Sequence, residues 1–434
     1  MEEIKEVGMR RGLLALSPVA VFLLMYLAVS VAVGDFYSMP IAVALAVAAV
    51  WSVAVTATGP LTRRVEIFSR SAGHSDILYM IWIFVLAGAF AALAKGTGAV
   101  DATVALTLQA FPAWLIVPAI FTASCLVSLA IGTSVGTVVA VTPLAVEMAR
   151  SMGPEGNVPM MVAVVLGGAF FGDNLSFISD TTIAATRTQG CNMADKFRTN
   201  LRIVLPAAIL TLGVYVWQGA SGGSLPVVES EGAPAAWLTL PYLLIIAMAV
   251  CGVNVLLVLT AGIVAALVSG LVSGMGFMEM FGLMGDGIDS MGDLIIITLL
   301  SAGMVGLIKS AGGFSYLLRV MTRLVRGSRG AQGCIAALVA MVDLCTANNT
   351  VAIITVGGLS RDISQRYGVD PRKSASLLDT ASCIAQCLIP YGAQTLMSTA
   401  LAGISPAAPW PYLYYPWMLA ATMLVSIAIK RRSQ

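Results

Sequence analysis

The sequence carries little charge for its length. Only 11% of its 434 residues are Asp, Glu, Lys or Arg, one residue is histidine, and 58% are hydrophobic, with a mean hydropathy of +0.91. Soluble domains carry about 25% charged residues, so this composition excludes an ordinary soluble protein. Apolar stretches of about 20 residues recur from Leu13 to Ile429 between short charged segments, which is typical of a polytopic membrane protein.

Other features are also missing. The cysteines are odd in number and lie mostly within apolar segments, so they predict small packing residues and not a disulfide framework. A GxxxxGK[ST] phosphate loop is absent, which argues against an ATP-driven pump. The first twelve residues carry both signs of charge and lead into a stretch long enough to cross a membrane, so no cleavable signal is predicted. No cofactor and no nucleic-acid partner are expected. The lipid bilayer is an expected partner.

One polar stretch is out of place among these apolar runs. The segment from Gly172 to Thr182 contains Asp173 and Asp180 and follows the apolar run that ends at Phe171. A carboxylate in the middle of a membrane span costs several kcal/mol unless it faces a cavity filled with water or ions. The segment therefore predicts a helix over 158–188 that is broken in its middle and holds a site.

The second half of the chain repeats the pattern of the first. Lys309 lies 214 residues after Lys95. The same offset places polar segments opposite each other: Gly132–Thr137 opposite Thr346–Val351, and Asp173–Thr181 opposite Cys387–Thr395. Such repeated halves are typical of secondary transporters.

The repeat predicts where the halves begin and end. The first repeat covers 13–218, with a hairpin tip at 132–137 and a broken helix at 158–188. An external connector covers 219–236. The second repeat covers 237–430, with a hairpin tip at 346–350 and a broken helix at 374–403. Proline and glycine at these polar segments, such as Pro390 and Gly132, favour breaks in the helices.

The loop charges predict how the halves lie in the membrane. If each hairpin is re-entrant, each half crosses five times and the second half is inverted relative to the first. With a cytoplasmic N-terminus, the strongly basic segments then fall on the inner side, as the positive-inside rule requires: Arg63–Arg70, Arg187–Arg202, Arg319–Arg329, Arg361–Lys373 and Lys430–Arg432. The outer side receives acidic loops: Glu229–Glu231 and Glu279–Asp289. Gly312–Arg329 reads as an amphipathic helix on the inner surface.

The predicted fold is thus an all-α polytopic membrane protein with two inverted repeats. It has about ten transmembrane helices, two re-entrant helical hairpins and two broken helices. We expect it in the plasma (cytoplasmic) membrane with both termini in the cytoplasm.

This arrangement brings four irregular polar segments to the middle of the bilayer, where they offer carboxylate, hydroxyl, amide and carbonyl oxygens. Such oxygens suit a hard cation such as Na⁺. The expected cation ligands are Thr133, Ser134, Thr137, Asp173, Asn174, Ser176, Ser179, Asp180, Thr181, Asn348, Asn349 and Thr350.

Asp173 and Asp180 are the first candidates for exchanging a proton for a cation, because a buried carboxylate holds a proton that a bound cation displaces. Asp343 and Asp379 are second candidates. Structural roles stay open for several of these residues. Asp180 would also cap a half-helix, Asp379 would also pair with an arginine of an inner loop, and tip residues such as Ser134, Asn348 and Asn349 would also bond to the local backbone.

The segment GDNLSFISDTT resembles the NhaC-type sodium/proton antiporter family, whose pattern reads GDKMSPLSDTT. Gly172, Asp173, Ser176, Ser179 and Asp180–Thr182 fit that pattern. Asn174 replaces the lysine of the pattern, and Phe177–Ile178 replace its proline and leucine. The resemblance implies inverted repeats, re-entrant hairpins and interrupted helices, and relatives of this fold are often homodimers.

Two functions follow. The first is a secondary active Na⁺/H⁺ antiporter that works by alternating access through Asp173 and Asp180. The alternative is a Na⁺- or H⁺-coupled transporter of an amino acid or a small organic acid, because relatives in this family also move such solutes. Neither is an enzyme, and Na⁺ is expected as the transported ion in the first and as the coupling ion, unless H⁺ takes that place, in the second.

Overall fold

The computed structural model describes residues 8–33, 39–110, 112–152, 157–177, 179–221, 235–251, 253–322 and 325–429. Ile178, most of the predicted connector and the predicted terminal basic cluster at 430–432 lie outside the described residues. Within the described ranges, every regular element is helical.

The first half contains ten α-helices in its described residues. They are α1 (Met9–Val33), α2 (Ile41–Val55), α3 (Leu61–Ala72), α4 (Ser75–Gly96), α5 (Ala99–Ala110), α6 (Ala113–Ile131), α7 (Ser134–Ser151), α8 (Val158–Leu175), α9 (Asp180–Gln189) and α10 (Met193–Ser221).

The described residues of the second half form another ten. They are α11 (Leu240–Val250), α12 (Val255–Val272), α13 (Phe277–Asp289), α14 (Gly292–Ser310), α15 (Gly313–Thr322), α16 (Gly327–Thr346), α17 (Asn349–Tyr367), α18 (Pro371–Leu388), α19 (Ala393–Ala402) and α20 (Tyr414–Ala428). Short 3₁₀ turns at Ala236–Thr239 and Trp410–Tyr412 precede α11 and α20.

Local signals in the sequence set many of these ends. Pro112 directly precedes α6, where its missing N–H costs no hydrogen bond. Asn157 caps α8 by accepting a hydrogen bond from the backbone N–H of Met160 at 2.9 Å. Gly190 and Gly403 end α9 and α19 in the left-handed conformation, with φ of 69° and 68°, which glycine adopts without strain.

The helices are those of a membrane protein, as predicted. Within the described residues, seven stretches are long and apolar enough to cross a bilayer, and two of them, α8–α9 and α13–α14, join consecutive helices. Three shorter apolar helices accompany them. Several spans expose large apolar side chains, as lipid-facing helices do; Val50, Trp217 and Val272 are about 70% exposed. The all-α polytopic fold class is confirmed, whereas the repeat boundaries and the inversion remain predictions.

Three predicted elements were wrong. The acidic loop around Glu279 is a helix, α13, which lies against α4 where Gly88 and Gly287 meet. The predicted surface helix from Gly312 ends as α15 at Thr322, and Gly327, with φ of 67°, begins α16. Finally, α10 begins ten residues before the predicted span at Ile203, which draws Lys196 into a helix.

The polar segments form tips and breaks where the sequence places them. Only Gly132–Thr133 and Ala347–Asn348 are non-helical at the two tips, and the residue that ends each first arm is left-handed, with φ of 74° at Gly132 and 48° at Ala347. Ser176–Ser179 separate α8 from α9, and Ile389–Gly392 separate α18 from α19.

Helix positions recur between the halves. The hairpin arms and the broken helices of the second half begin 213 to 215 residues after those of the first. At the broken helices the offset is 213, so Asp173 corresponds to Gln386 and not to the Cys387 that a constant offset of 214 gives. The constant offset was therefore wrong by one residue there.

Packing between the halves is reciprocal. Helix α3 packs on α14, and its counterpart α13 packs on α4. Likewise α9 packs on α17, and α19 packs on α7. Each broken helix thus lies against the hairpin arm of the opposite half, so residues far apart in sequence meet at the breaks.

Close helix packing holds the first break against the first hairpin. Gly168 and Gly172 lie four residues apart on α8, facing α6, and small residues at this spacing let two helices approach closely. A Cβ atom at Gly172 would lie 2.3 Å from the backbone N of Leu129 and 2.4 Å from Cβ of Ser128.

We therefore expect Gly172→Ala to destabilise the protein by about 1–3 kcal/mol, because backbone atoms of α6 must move to admit the methyl group. Gly213→Ala is the control, since no heavy atom lies within 4 Å of the corresponding position on α10. Thermal unfolding of the detergent-purified variants measures both changes. Equal unfolding temperatures for Gly172→Ala and the unsubstituted protein would contradict this packing.

Candidate functional site

The first break surrounds a buried carboxylate. Asp173 lies in the last turn of α8 and is 5% exposed. Its Oδ2 accepts a hydrogen bond from Ser134 Oγ at 2.8 Å, and its Oδ1 accepts one from Ser179 Oγ at 2.5 Å. Both serines stand at helix N-termini, whose positive ends stabilise an anion. Ser179 Oγ also lies 2.8 Å from Thr181 Oγ1.

The first hairpin is joined to the first break by hydrogen bonds from serine side chains to backbone carbonyl oxygens. Ser176 Oγ donates to the carbonyl oxygen of Leu129 at 2.9 Å, and Ser128 Oγ donates to that of Ala169 at 2.5 Å. These bonds tie the end of α6 to α8 on both sides of Asp173. Four of the predicted ligands, Ser134, Asp173, Ser179 and Thr181, therefore lie together.

A second buried acid, Asp379, lies on α18 of the second half, which packs against α8, α9 and α10. Asp379 is fully buried, and its Oδ2 accepts hydrogen bonds from Lys196 Nζ and, at 3.2 Å, from Thr182 Oγ1. Lys196 Nζ also donates to the carbonyl oxygen of Asn174 at 2.7 Å and to Thr182 Oγ1 at 2.8 Å. The ammonium group is 1% exposed and has three oxygen partners.

This ion pair corrects two predictions. Lys196 is not a residue of an inner basic loop, and Asp379 pairs with a lysine of α10 and not with a loop arginine. The carbonyl oxygen of Asn174 belongs to the last turn of α8, which has no intrahelical donor to bond with. Lys196 supplies that donor, and its positive charge suits the negative end of the half-helix.

Asn174 is held by a second polar side chain of α10. Asn200 Nδ2 donates to the carbonyl oxygen of Asn174 at 2.7 Å and to its Oδ1 at 2.6 Å. Asn200 Oδ1 accepts from Ser376 Oγ at 2.8 Å and from Thr380 Oγ1 at 2.9 Å on α18. The side chain of Asn174 is thus engaged in a buried network that joins α8, α10 and α18.

A chain of hydrogen bonds links the first site to the second tip. Gln394 Nε2 donates to Ser134 Oγ at 3.0 Å. Gln386 Nε2 donates to Gln394 Oε1 and to the carbonyl oxygen of Ala347, both at 3.0 Å. The serine that contacts Asp173 is therefore connected, through two glutamines of the second break, to the second hairpin.

Other predicted ligands lie apart from Asp173 or are engaged locally. Asp180 is the first residue of α9 and is exposed, and Ser179 occupies the cap position instead. Asn348 caps α17 by accepting from the backbone N–H of Val351 at 3.0 Å, the structural role left open for it. Thr137 donates to the carbonyl oxygen of Thr133 at 3.0 Å, and the Thr350 N–H donates to Asn349 Oδ1 at 3.0 Å.

Asp343 is buried near the second tip. It is fully buried in α16, and neither carboxylate oxygen has a hydrogen-bond partner among the described residues. The backbone N–H of Asn348 lies near this carboxyl group. The described residues contain no group of three His, Cys, Asp or Glu side chains arranged to hold a metal ion.

Sequence reasoning missed several residues of this network, among them Thr182 as a ligand, Lys196, Asn200, Gln386 and Gln394. A signal was present for Lys196 and Asn200, which are four residues apart and so share one face of α10. The glutamines carried no charge to mark them.

Aromatic packing covers the first break. Phe177 stacks on Phe197, with ring centroids 4.6 Å apart and an interplanar angle of 21°. Phe197 directly follows Lys196, so the stack fixes the break against the same turn of α10 that carries the ammonium group. Phe177 is one of the residues that depart from the family pattern.

Comparison with known proteins decides the family. The profile of the Na⁺/H⁺ antiporter family matches residues 11–220 and 225–429, which is most of the chain. The chain belongs to the Na⁺/H⁺ antiporter family. The resemblance read from GDNLSFISDTT is confirmed, and this member of the Na⁺/H⁺ antiporter family is a membrane transporter and not an enzyme.

Curated relatives are distant and differ in what they carry. The chain is 22% identical to "Arginine/ornithine antiporter ArcD" of Halobacterium salinarum over 62% of its length and 61% of the relative, which is less than two thirds of that protein. It is 22% identical to "Na(+)/H(+) antiporter NhaC" of Bacillus subtilis, covering 82% and 84%. It is 21% identical to "Malate-2H(+)/Na(+)-lactate antiporter" of Bacillus subtilis, covering 82% and 81%.

Proposed function

We propose that the protein is a secondary active antiporter that exchanges Na⁺ for H⁺ by alternating access, with Asp173 and Asp180 as the exchanging acids. The observation that carries the proposal is the buried Asp173 carboxylate, which accepts hydrogen bonds from Ser134 and Ser179. Ser134 stands at the N-terminus of the hairpin arm α7, and Ser179 stands at that of α9. Family membership supports the choice of Na⁺ and H⁺.

The two buried acids Asp173 and Asp379 differ in their partners. Asp379 is paired with the Lys196 ammonium group, so this pair is neutral together. Asp173 is bonded to two serine hydroxyls, which carry no charge. A proton or a Na⁺ ion on Asp173 would neutralise it equally well, and only one of them fits at a time. This competition is the basis of exchange.

The hydroxyls around Asp173 suit both occupants. Ser134, Ser179 and Thr181 donate or accept as their hydroxyl groups rotate, so they bond to an ionised carboxylate or turn their lone pairs toward Na⁺. Asp180 follows seven residues after Asp173, at the exposed start of α9, and we infer that it passes the ion or proton to and from Asp173. The remaining predicted ligands belong to the ion's path.

The tips and breaks support the proposed topology. The broken helix α8–α9 is 32 residues long, and the first tip contacts it near its middle, at Asp173 and Ser176. A tip that ends halfway along a spanning helix fits a re-entrant hairpin better than a crossing one. The positions of the basic segments support cytoplasmic termini in a plasma membrane.

The alternative is a carrier of an amino acid or small organic acid coupled to Na⁺ or H⁺. The arginine/ornithine and malate/lactate relatives favour it, as do Asn174 and Phe177, which replace family residues at the break. In that case the same acids would bind the coupling ion.

Transport by the purified protein in liposomes with a trapped pH dye separates the two functions. We expect external NaCl or LiCl, but not choline chloride, to make the lumen more alkaline as protons leave in exchange for the entering ion. The same liposomes are then given labelled amino acids and dicarboxylates. Solute uptake without any Na⁺-driven pH change would contradict Na⁺/H⁺ exchange and establish the alternative.

A further inference from the structure

The second half contains a counterpart of the first site with different chemistry. Counted from the helix starts, Asn349 corresponds to Ser134 and Gln386 corresponds to Asp173. In the first half these positions are joined by a hydrogen bond of 2.8 Å. In the second half, Asn349 Nδ2 and Gln386 Oε1 are both buried and both lack a partner among the described residues.

Two other polar side chains of the second half are in the same condition. Both carboxylate oxygens of Asp343 and the hydroxyl of Thr395 are buried without a hydrogen-bond partner in the described part of the chain. Asp343 and Thr395 are 0% and 1% exposed. With Gln386 Oε1 this makes four buried oxygen atoms without a hydrogen-bond partner among the described residues.

Hydrogen bonds place these side chains around the second tip. Gln386 Nε2 donates to the carbonyl oxygen of Ala347 at 3.0 Å, and the Ala347 N–H donates to the carbonyl oxygen of Asp343 at 2.7 Å. Gln386 also bonds to Gln394, which directly precedes Thr395. The carboxylate of Asp343 and the amide of Gln386 therefore lie at the second tip, and Gln386 is bonded to the first turn of α19, which also carries Thr395.

The arrangement is costly as it stands. A buried polar group without a partner costs about 1–3 kcal/mol, and a buried carboxylate costs more. Protonation of Asp343 would remove its charge and supply one O–H donor, which can satisfy only one of the remaining oxygens. A small cation would satisfy all four oxygens together, because carboxylate, amide and hydroxyl oxygens are the ligands of hard cations.

We propose that Asp343, Gln386 and Thr395 form a second cation site, separate from Asp173, which takes Na⁺ or a primary ammonium group. Its first-half counterparts do not make the same site. Ser128, which like Asp343 lies four residues before the left-handed residue of its tip, donates to the carbonyl oxygen of Ala169. The proposal rests on the proposed function only for the choice of Na⁺ as the probe.

Binding of radiolabelled Na⁺ to the detergent-purified full chain tests this site without transport. We expect Asp343→Asn to lower saturating binding by about one Na⁺ per chain and Thr395→Val to raise the half-saturating concentration about tenfold. Gln386→Glu adds a carboxylate among the same oxygens, so it should tighten binding. Thr142→Val is the matched control, because Thr142 is also buried with an unpartnered hydroxyl but lies on α7, two turns beyond the first tip.

The proposal would be overturned if the Na⁺-binding isotherms matched that of the unsubstituted protein in all three variants, Asp343→Asn, Thr395→Val and Gln386→Glu. Displacement of Na⁺ by methylammonium, present in the unsubstituted protein and lost in Asp343→Asn, would support an ammonium ligand at this site. Resistance to methylammonium together with loss of Na⁺ in Asp343→Asn would support Na⁺ itself.

The outcome is independent of exchange at the first site. If liposomes show no Na⁺-driven proton movement while Asp343→Asn still loses a bound Na⁺, the proposed function fails and the second site stands. If exchange is present and the variants bind Na⁺ unchanged, the second site fails and the proposed function stands.

Discussion

Lys196→Met should destabilise the protein by about 3–5 kcal/mol, because it leaves the buried Asp379 carboxylate without its cation. Methionine is close to lysine in length and keeps the apolar contacts of its stem, so the change isolates the charge. The carbonyl oxygen of Asn174 and the hydroxyl of Thr182 would lose a donor at the same time. Thermal unfolding in detergent, read alongside the yield of monodisperse protein, measures the loss.

A double substitution separates charge from packing. Lys196→Met combined with Asp379→Asn removes both charges, and neutral replacements of a buried pair are often tolerated. We therefore expect the double variant to be more stable than Lys196→Met alone, with a clear interaction between the two sites in a double-mutant cycle. Lys309→Met serves as the control because Lys309 is exposed at the end of α14. Unchanged stability in Lys196→Met, or simple additivity in the cycle, would show that the pair contributes nothing.

Asp173→Asn should abolish Na⁺-driven proton movement in liposomes while leaving the protein folded in the membrane. Asparagine has nearly the same shape as aspartate and still accepts a hydrogen bond from Ser134 through its carbonyl oxygen. It cannot release a proton or carry the charge that holds Na⁺, so exchange loses its basis. The dye assay gives the result directly, and size-exclusion chromatography confirms the fold.

Asp180→Asn should also abolish exchange, because the first turn of α9 would lose the acid that connects Asp173 to the exposed side. Asp101→Asn is the matched control for both changes: Asp101 is an exposed carboxylate on the short helix α5. Full exchange in Asp173→Asn and Asp180→Asn would refute the assignment of the site, whereas loss in Asp101→Asn as well would mean that the assay reports general damage.

The two acids illustrate what sequence patterns do and do not contain. Both stood out because charge is rare in an apolar run, and that rarity is visible locally. The burial of each acid, in contrast, cannot be inferred from the residues next to it in the sequence. Asp173 is buried because α6 and α7 close over it, whereas Asp180 is exposed at the start of α9 although it lies only seven residues further on.

The sequence by itself determined the membrane class, most helices and the four polar segments in which the helices are interrupted. Each of these depends on short-range properties: apolar length, proline and glycine at the ends of helices, and polar residues inside spans. The repeat was also detectable, because tips and breaks recur at nearly constant spacing. The family signature around Asp173 added the expected chemistry.

Only the tertiary structure decided which polar groups meet. Lys196 and Asp379 are 183 residues apart, and a lysine near a helix start looks the same whether it faces solvent or a buried acid. Gln394 and Ser134 are joined across 260 residues for the same reason. Hydrogen bonds and ion pairs between the halves depend on the relative placement of α10, α18 and α19, which is set by packing over the whole molecule and leaves no local pattern in the chain.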